Sequence, residues 1–229
     1  MMPSMKKVLS ALALLAPLAA VPAQAVTLVT TSDPGYYNDS IGTVLNLTNG
    51  GETGPFPVFN DSTLSFPTAP DLSAAAGILG NWLTDPLHLN SNWTLETSIP
   101  NTWNPGDEVA IIYQFDTLGA TNVQASFGVD NGMFAWLDGT YLFGARAGGG
   151  ASAGEYVLNL GDLSAGTHYL QLLLEDHGGS NGYLVNITAD TFIPGPPPVP
   201  EPGILAVFGL GLAGLGLARR SSAKRARKA

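Results

Sequence analysis

The chain of 229 residues contains no cysteine. That excludes a disulfide framework, a thiolate metal site and a cysteine nucleophile. Positive charge is almost as scarce. Of nine Lys and Arg, two stand at Lys6 and Lys7 and six at Arg219, Arg220, Lys224, Arg225, Arg227 and Lys228. Residues 26–198 hold one cation, Arg146, against 17 Asp and Glu, so this stretch carries −16 where the whole chain carries −9. So acidic a body disfavours nucleic acid and anionic lipid as partners and favours counter-cations. A solvated acidic exterior is the plainer reading of the same charge. The three histidines, His88, His168 and His177, form no H-E-x-x-H motif or i,i+4 pair, which argues against a zinc centre. The run Gly148-Gly149-Gly150 lacks the Lys-Ser/Thr of a phosphate loop. Gly150 to Gly154 matches G-x-S-x-G in letters only. A nucleophile elbow needs a strand before Ser152 and a helix after it, and here the pattern predicts a loop between strands.

Both ends of the chain carry targeting signals. Lys6-Lys7, the apolar run Val8 to Val21 and Ala23-Gln24-Ala25 have the three parts of a secretory signal peptide. Cleavage after Ala25 makes Val26 the first mature residue, with signal peptidase and the Sec translocon as partners. At the other end, Gly203 to Ala218 is free of charge. As a helix it spans roughly 24 Å, short for a bilayer core of about 30 Å but usable if the flanking arginines snorkel. The basic cluster behind it stays cytoplasmic by the positive-inside rule and puts the preceding body outside. Residues 194–202 form a stiff Pro-rich linker before this helix.

The order Pro200-Glu201-Pro202, apolar helix, Arg219-Arg220 resembles the sorting signal of PEP-CTERM proteins. The resemblance implies an exosortase-type membrane protease as processing partner and a Gram-negative host that makes exopolysaccharide. It further implies a protein anchored in the inner membrane with a periplasmic ectodomain, then moved to the cell surface or matrix.

Between the ends the pattern predicts an all-β fold, an antiparallel, jelly-roll-like β-sandwich over residues 26–193. Val109 to Phe115 is mostly apolar and suits a core strand. Val123, Ala125, Phe127 and Val129 share one face of an alternating strand. Phe134 to Phe143 reads as a hairpin, because Asp138-Gly139 fits a two-residue type I′ turn. Alternation recurs at Tyr156, Leu158 and Leu160, at Leu170, Leu172 and Leu174, and at Tyr183, Val185 and Ile187. Asp71 to Leu83 is the one stretch with a helical pattern. From about Asn92 to Asp190 the order of pieces is similar to jelly-roll carbohydrate-binding modules of the galactose-binding-like and protective-antigen-like kind. The similarity rests on Asp130-Asn131-Gly132, the strand after it, Asp138-Gly139, and Leu163-Ser-Ala-Gly-Thr-His168. The cation-binding Asp-Asp pair of the protective-antigen type has no counterpart.

Candidate site residues follow from chemistry. Glu175-Asp176-His177, then Gly178 to Gly182, packs three ionisable groups into one loop at the end of a buried strand. Carboxylates and loop carbonyls are what Ca²⁺ takes. Asp130, Asn131 and Asp138 are placed at the same end, although an ordinary polar loop explains the composition equally. No other cofactor is expected. Trp82, Trp93, Trp103 and Trp136 are candidate sugar platforms, with Trp136 the one placed to point outward; a core position is the commoner fate of tryptophan in a sandwich. The expected function is a non-enzymatic envelope or biofilm-matrix protein whose ectodomain binds carbohydrate, with exopolysaccharide as partner. A secreted glycan or ester hydrolase and a structural matrix protein without a specific ligand are the alternatives.

Overall fold

The computed structural model describes residues 25–47, 64–147, 149–176 and 178–194. The signal peptide, the Pro-Glu-Pro segment, the apolar tail, Arg219 and Arg220 lie outside them, as does His177. Among the described residues no helix is long and apolar enough to cross a membrane.

Among the described residues, ten strands carry the fold. They are β1 (Val26–Thr30), β2 (Gly35–Gly42), β3 (Leu64–Phe66), β4 (Thr94–Glu96), β5 (Glu108–Leu137), β6 (Thr140–Ala147), β7 (Tyr156–Leu163), β8 (Gly166–Glu175), β9 (Gly182–Ala189) and β10 (Thr191–Pro194). Every pairing is antiparallel. The expected helix at 71–83 shrinks to a 3₁₀ turn, Ser73–Ala75, and one α-turn, Ala76–Leu79. Gly80, with φ of 62°, ends it at once.

The 30-residue strand β5 organises the molecule. Its first part, 108–117, and its last, 132–137, flank β8 on either side in register. Outside them lie β2 and β4 on one flank and β6 and β3 on the other. The middle of β5 belongs to the second layer, paired with β7 and with β9, while β1 edges β9 and β10 continues past it. This is the expected β-sandwich with the two layers joined through one strand.

Alternation explains both cores. Val109, Ile111, Tyr113, Leu170, Leu172 and Leu174 face Val123, Ala125, Phe127, Val185 and Ile187 across the sandwich. The larger layer buries its other face as well. Ala110, Ile112, Phe134, Trp136 and Leu173 pack under the segment carrying Leu79, Trp82 and Trp93. That second core accounts for the nearly continuous apolar run at 109–115.

Candidate functional site

At one end of the larger layer, strand register lines up a row of charge. Glu108 pairs with Glu175, Glu175 with Gly132, and Gly132 with Arg146. Asn131 pairs with Ala147 and Asp130 with Gly182 at the same level. Six polar groups are thus buried together: Glu108 at 3% exposure, Asp130 at 5%, Asn131 at 6%, Arg146 at 0%, and Glu175 and Asp176 at 1% each.

Their hydrogen bonds tie loops to this end. The Glu108 carboxylate accepts the Leu47 N–H at 2.8 Å and the Leu45 N–H at 3.0 Å. Asp176 Oδ2 accepts the Gly106 N–H at 2.8 Å, while its buried Oδ1 has no hydrogen-bond partner among the described residues. The Asn131 amide donates to Asp130 Oδ1 at 3.0 Å across a cis peptide. Asn181 clamps Trp103, accepting its N–H and donating to its carbonyl, both at 3.0 Å. Glu155 receives the N–H groups of Val129 and Ser152. The loops around Asn101, Ala151 and Gly182 converge, since a Cβ on Gly182 would lie 3.6 Å from the Asn101 carbonyl and 4.0 Å from the Ala151 methyl.

Electrostatics follow from four buried carboxyls and one cation. Burial pushes Glu175 up to about 8, Asp176 and Glu108 add to the rise, and Arg146 opposes it. Burial also raises Glu108, against the lowering by its two backbone N–H donors. Glu175 is held as the neutral acid near pH 7. Arg146 and Glu108 were missed as site residues, although both left a trace. Arg146 is the sole cation of the body, and Glu108 opens an apolar strand.

The other sequence candidates sort as follows. Asp130, Asn131, Glu175 and Asp176 lie at the same end of the sandwich. Asp138 does not join them, because Leu137 pairs with Leu170 while Glu175 lies five residues further along β8, roughly 17 Å away. Asp138 instead forms the expected type I′ turn, with φ of 51° followed by 74° at Gly139. It accepts His168 Nδ1 at 2.7 Å and the Tyr169 N–H at 2.8 Å. The other ring nitrogen of His168 lies 3.0 Å from the Ser164 carbonyl, so His168 pins this corner. Burial lowers its pKa, but those two partners prevail and it is raised.

The tryptophan platform is overturned. All four tryptophans are at most 9% exposed. Trp82 stacks on Trp93 at 5.8 Å and meets the edge of Trp136 at 5.4 Å, so the outward placing of Trp136 fails because the second core claims that face. Ser152 is followed by a turn and then β7, with no helix, so the elbow geometry is absent. Among the described residues, no three Asp, Glu or His side chains are grouped to hold a metal ion. A hollow of about 460 Å³ lies between Thr31, Ser98, Asn101 and Leu184, and no carboxylate lines it.

Comparisons with known proteins add the following. No curated protein matches the chain in sequence. Among solved structures, the PA14 domain of the MpAFP antifreeze protein is similar over 78% of this chain and 92% of its own, with 14% identity and a TM-score of 0.30. A PA14 sugar-binding domain from an RTX adhesin covers 72% and 94%, with 15% identity and a TM-score of 0.30. The GH31 alpha-xylosidase of Xanthomonas citri is matched over 75% of this chain but 17% of its own, with 9% identity and a TM-score of 0.28. Likenesses at these scores carry no argument about function. The tail is different: residues 198–220 match the PEP-CTERM protein-sorting motif. The chain therefore carries the sorting motif of an exported protein processed by an exosortase.

Proposed function

We propose that this chain is a cell-envelope or biofilm-matrix protein whose β-sandwich binds carbohydrate at the end where Asp130, Asn131, Glu175 and Asp176 lie, with Ca²⁺ as its cation. The observation that carries the reading is the burial of four carboxyls beside a single Arg146, one of them with an oxygen that has no hydrogen-bond partner among the described residues. A buried carboxylate oxygen without a donor, as at Asp176 Oδ1, is costly, and a cation reached through the surrounding loops relieves the cost. With no group of three carboxylates among the described residues, the ion draws on Asp130, Asp176, the Asn131 amide oxygen and loop carbonyls. So few formal charges place it in the weak class of extracellular Ca²⁺ sites, about 10⁻⁴–10⁻³ M.

Binding is favoured over catalysis by geometry. Glycoside hydrolysis needs two carboxyls facing across a substrate-sized cleft. Glu108 and Glu175 sit side by side on adjacent strands, both nearly inaccessible. The test is a melting curve of the purified full-length chain with millimolar Ca²⁺ and with EDTA, repeated on Asp130→Ala. Ca²⁺ raises Tm in the wild type and not in the variant. Curves indifferent to both additions would remove the cation from the account.

A further inference from the structure

The body is acidic, yet one broad surface carries no charge. On the outer face of the smaller layer, Gln124 lies between Asn159 of β7 and Thr188 of β9, and Ser126 lies between Val157 and Asn186. These six outward side chains are amides, hydroxyls and one valine. Val157 is 61% exposed, and Asn159 and Asn186 are exposed beside it. The side chains of Ser126 and Asn186 make no hydrogen bond to another described residue, and Asn159, whose Oδ1 accepts the Gly161 N–H at 2.8 Å, keeps its amide N–H groups for a ligand. The next outward position after Ser126 is Gly128, which the Ser152 backbone covers, and then Asp130, so the open side of the row runs along β9. Gly128 opposes Leu184, and Leu184 also lines the 460 Å³ hollow with Thr31, Ser98 and Asn101. The hollow's wall is fixed: Thr31 Oγ1 accepts the Val185 N–H at 2.8 Å, and the Thr31 carbonyl accepts Tyr113 Oη–H at 3.0 Å. The far end of the face is closed by Asp162 and Asp190, both bonded to Asn122.

We propose that this uncharged face, entered from the hollow at Leu184, carries the further units of a neutral polysaccharide whose first unit occupies the Asp130 end. This rests on the carbohydrate reading given above. Chemistry selects the occupant. Amides and hydroxyls pair with alternating hydroxyls of a polyol, each donating and accepting. An anionic polymer is repelled by a body of net −16. A protein partner wants a buried aromatic or apolar anchor, and the face offers only Val157 and Leu184. Single hydrogen bonds to sugar compete poorly with water, so such a face gains affinity by repetition along the chain.

Chain length is therefore the readout. The full-length protein is titrated with a neutral β-glucan disaccharide, the corresponding hexasaccharide and a uronic-acid hexasaccharide. The wild type binds the neutral hexasaccharide at least tenfold more tightly than the disaccharide and the uronic chain more weakly than either. The double variant S126E/N186E, with Tm unchanged, keeps disaccharide affinity and loses the tenfold gain. Thr94→Glu, exposed on β4 in the other layer, changes neither. If the hexasaccharide gains nothing over a disaccharide that binds, the face is not used and the end site stands alone. If neither binds, the carbohydrate reading fails and takes the face with it. If sedimentation shows a wild-type dimer that S126E/N186E splits, the face joins two copies and the proposal is overturned.

Discussion

Replacing Glu175 by Gln should stabilise the protein at alkaline pH and leave it unchanged at mildly acid pH. Glu175 is 1% exposed and its pKa is pushed from 4.5 up to about 8 by burial, Asp176 and Glu108. A carboxyl raised in the folded state holds its proton there while the unfolded chain has released it. Stability is therefore greatest below about pH 4.5 with respect to this group and falls as pH rises through the folded value near 8. Each pH unit at full slope is worth about 1.4 kcal/mol, so the three units from pH 5 to pH 8 set a ceiling of about 4 kcal/mol. Arg146, beside Glu175, already acts within that value. Glu108, raised by the same burial, adds a loss of the same sign. Glutamine keeps the shape and stays neutral, so Glu175→Gln should gain on the order of 2–4 kcal/mol at pH 8 and almost nothing at pH 5. Urea denaturation across that range, without divalent ions, reads the difference. A wild-type stability flat from pH 5 to 8, or a variant destabilised equally at every pH, would refute the electrostatic account of this end.

Other expectations concern the frame around the site. Asp138→Ala removes acceptors from His168 and the Tyr169 N–H and puts alanine at positive φ, so urea denaturation should show a loss of about 2–4 kcal/mol with glycan affinity unchanged. The His168–Asp138 contribution is fully present below pH 6.5 and fades as pH rises through the raised histidine value, a dependence that Asp138→Asn should reduce in the same assay, the Ser164 carbonyl and Asp116 remaining. Gly128→Ala would bring a methyl within 2.1 Å of the Ser152 carbonyl; calorimetric melting should record about 1–3 kcal/mol lost as that loop is displaced. Trp82→Ala empties the second core beneath Trp93 and Trp136 and should cost about 3–5 kcal/mol by chemical denaturation.

Strand positions were legible wherever one face was buried. The period of two at Val123 to Val129 and at Tyr183 to Ile187 put every inward residue correctly, and Asp138-Gly139 announced its turn. What local pattern could not carry was pairing. Glu108 and Glu175 are far apart in sequence, and only the register of β5 on β8 sets them side by side. The same register sends Asp138 away from Asp130, although both end apolar runs. The second core was hidden for a related reason. Trp82 and Trp93 lie in irregular segments without periodicity, and only the apolar outer face of β5 and β8 explains why they are buried. The uncharged face was spelled out in alternating letters at Gln124 and Ser126, at Asn186 and Thr188, and at Val157 and Asn159. Its meaning needed the neighbouring strands.

The most direct measurement is calorimetric titration of a neutral oligosaccharide into the purified full-length chain with Ca²⁺, for wild type and Asp130→Ala. Wild type should bind, EDTA should weaken the binding, and Asp130→Ala should lose at least tenfold in affinity while keeping the Tm that the wild type has without Ca²⁺. No heat from any neutral or charged glycan, or equal affinity in the variant, would contradict carbohydrate recognition at this end of the sandwich.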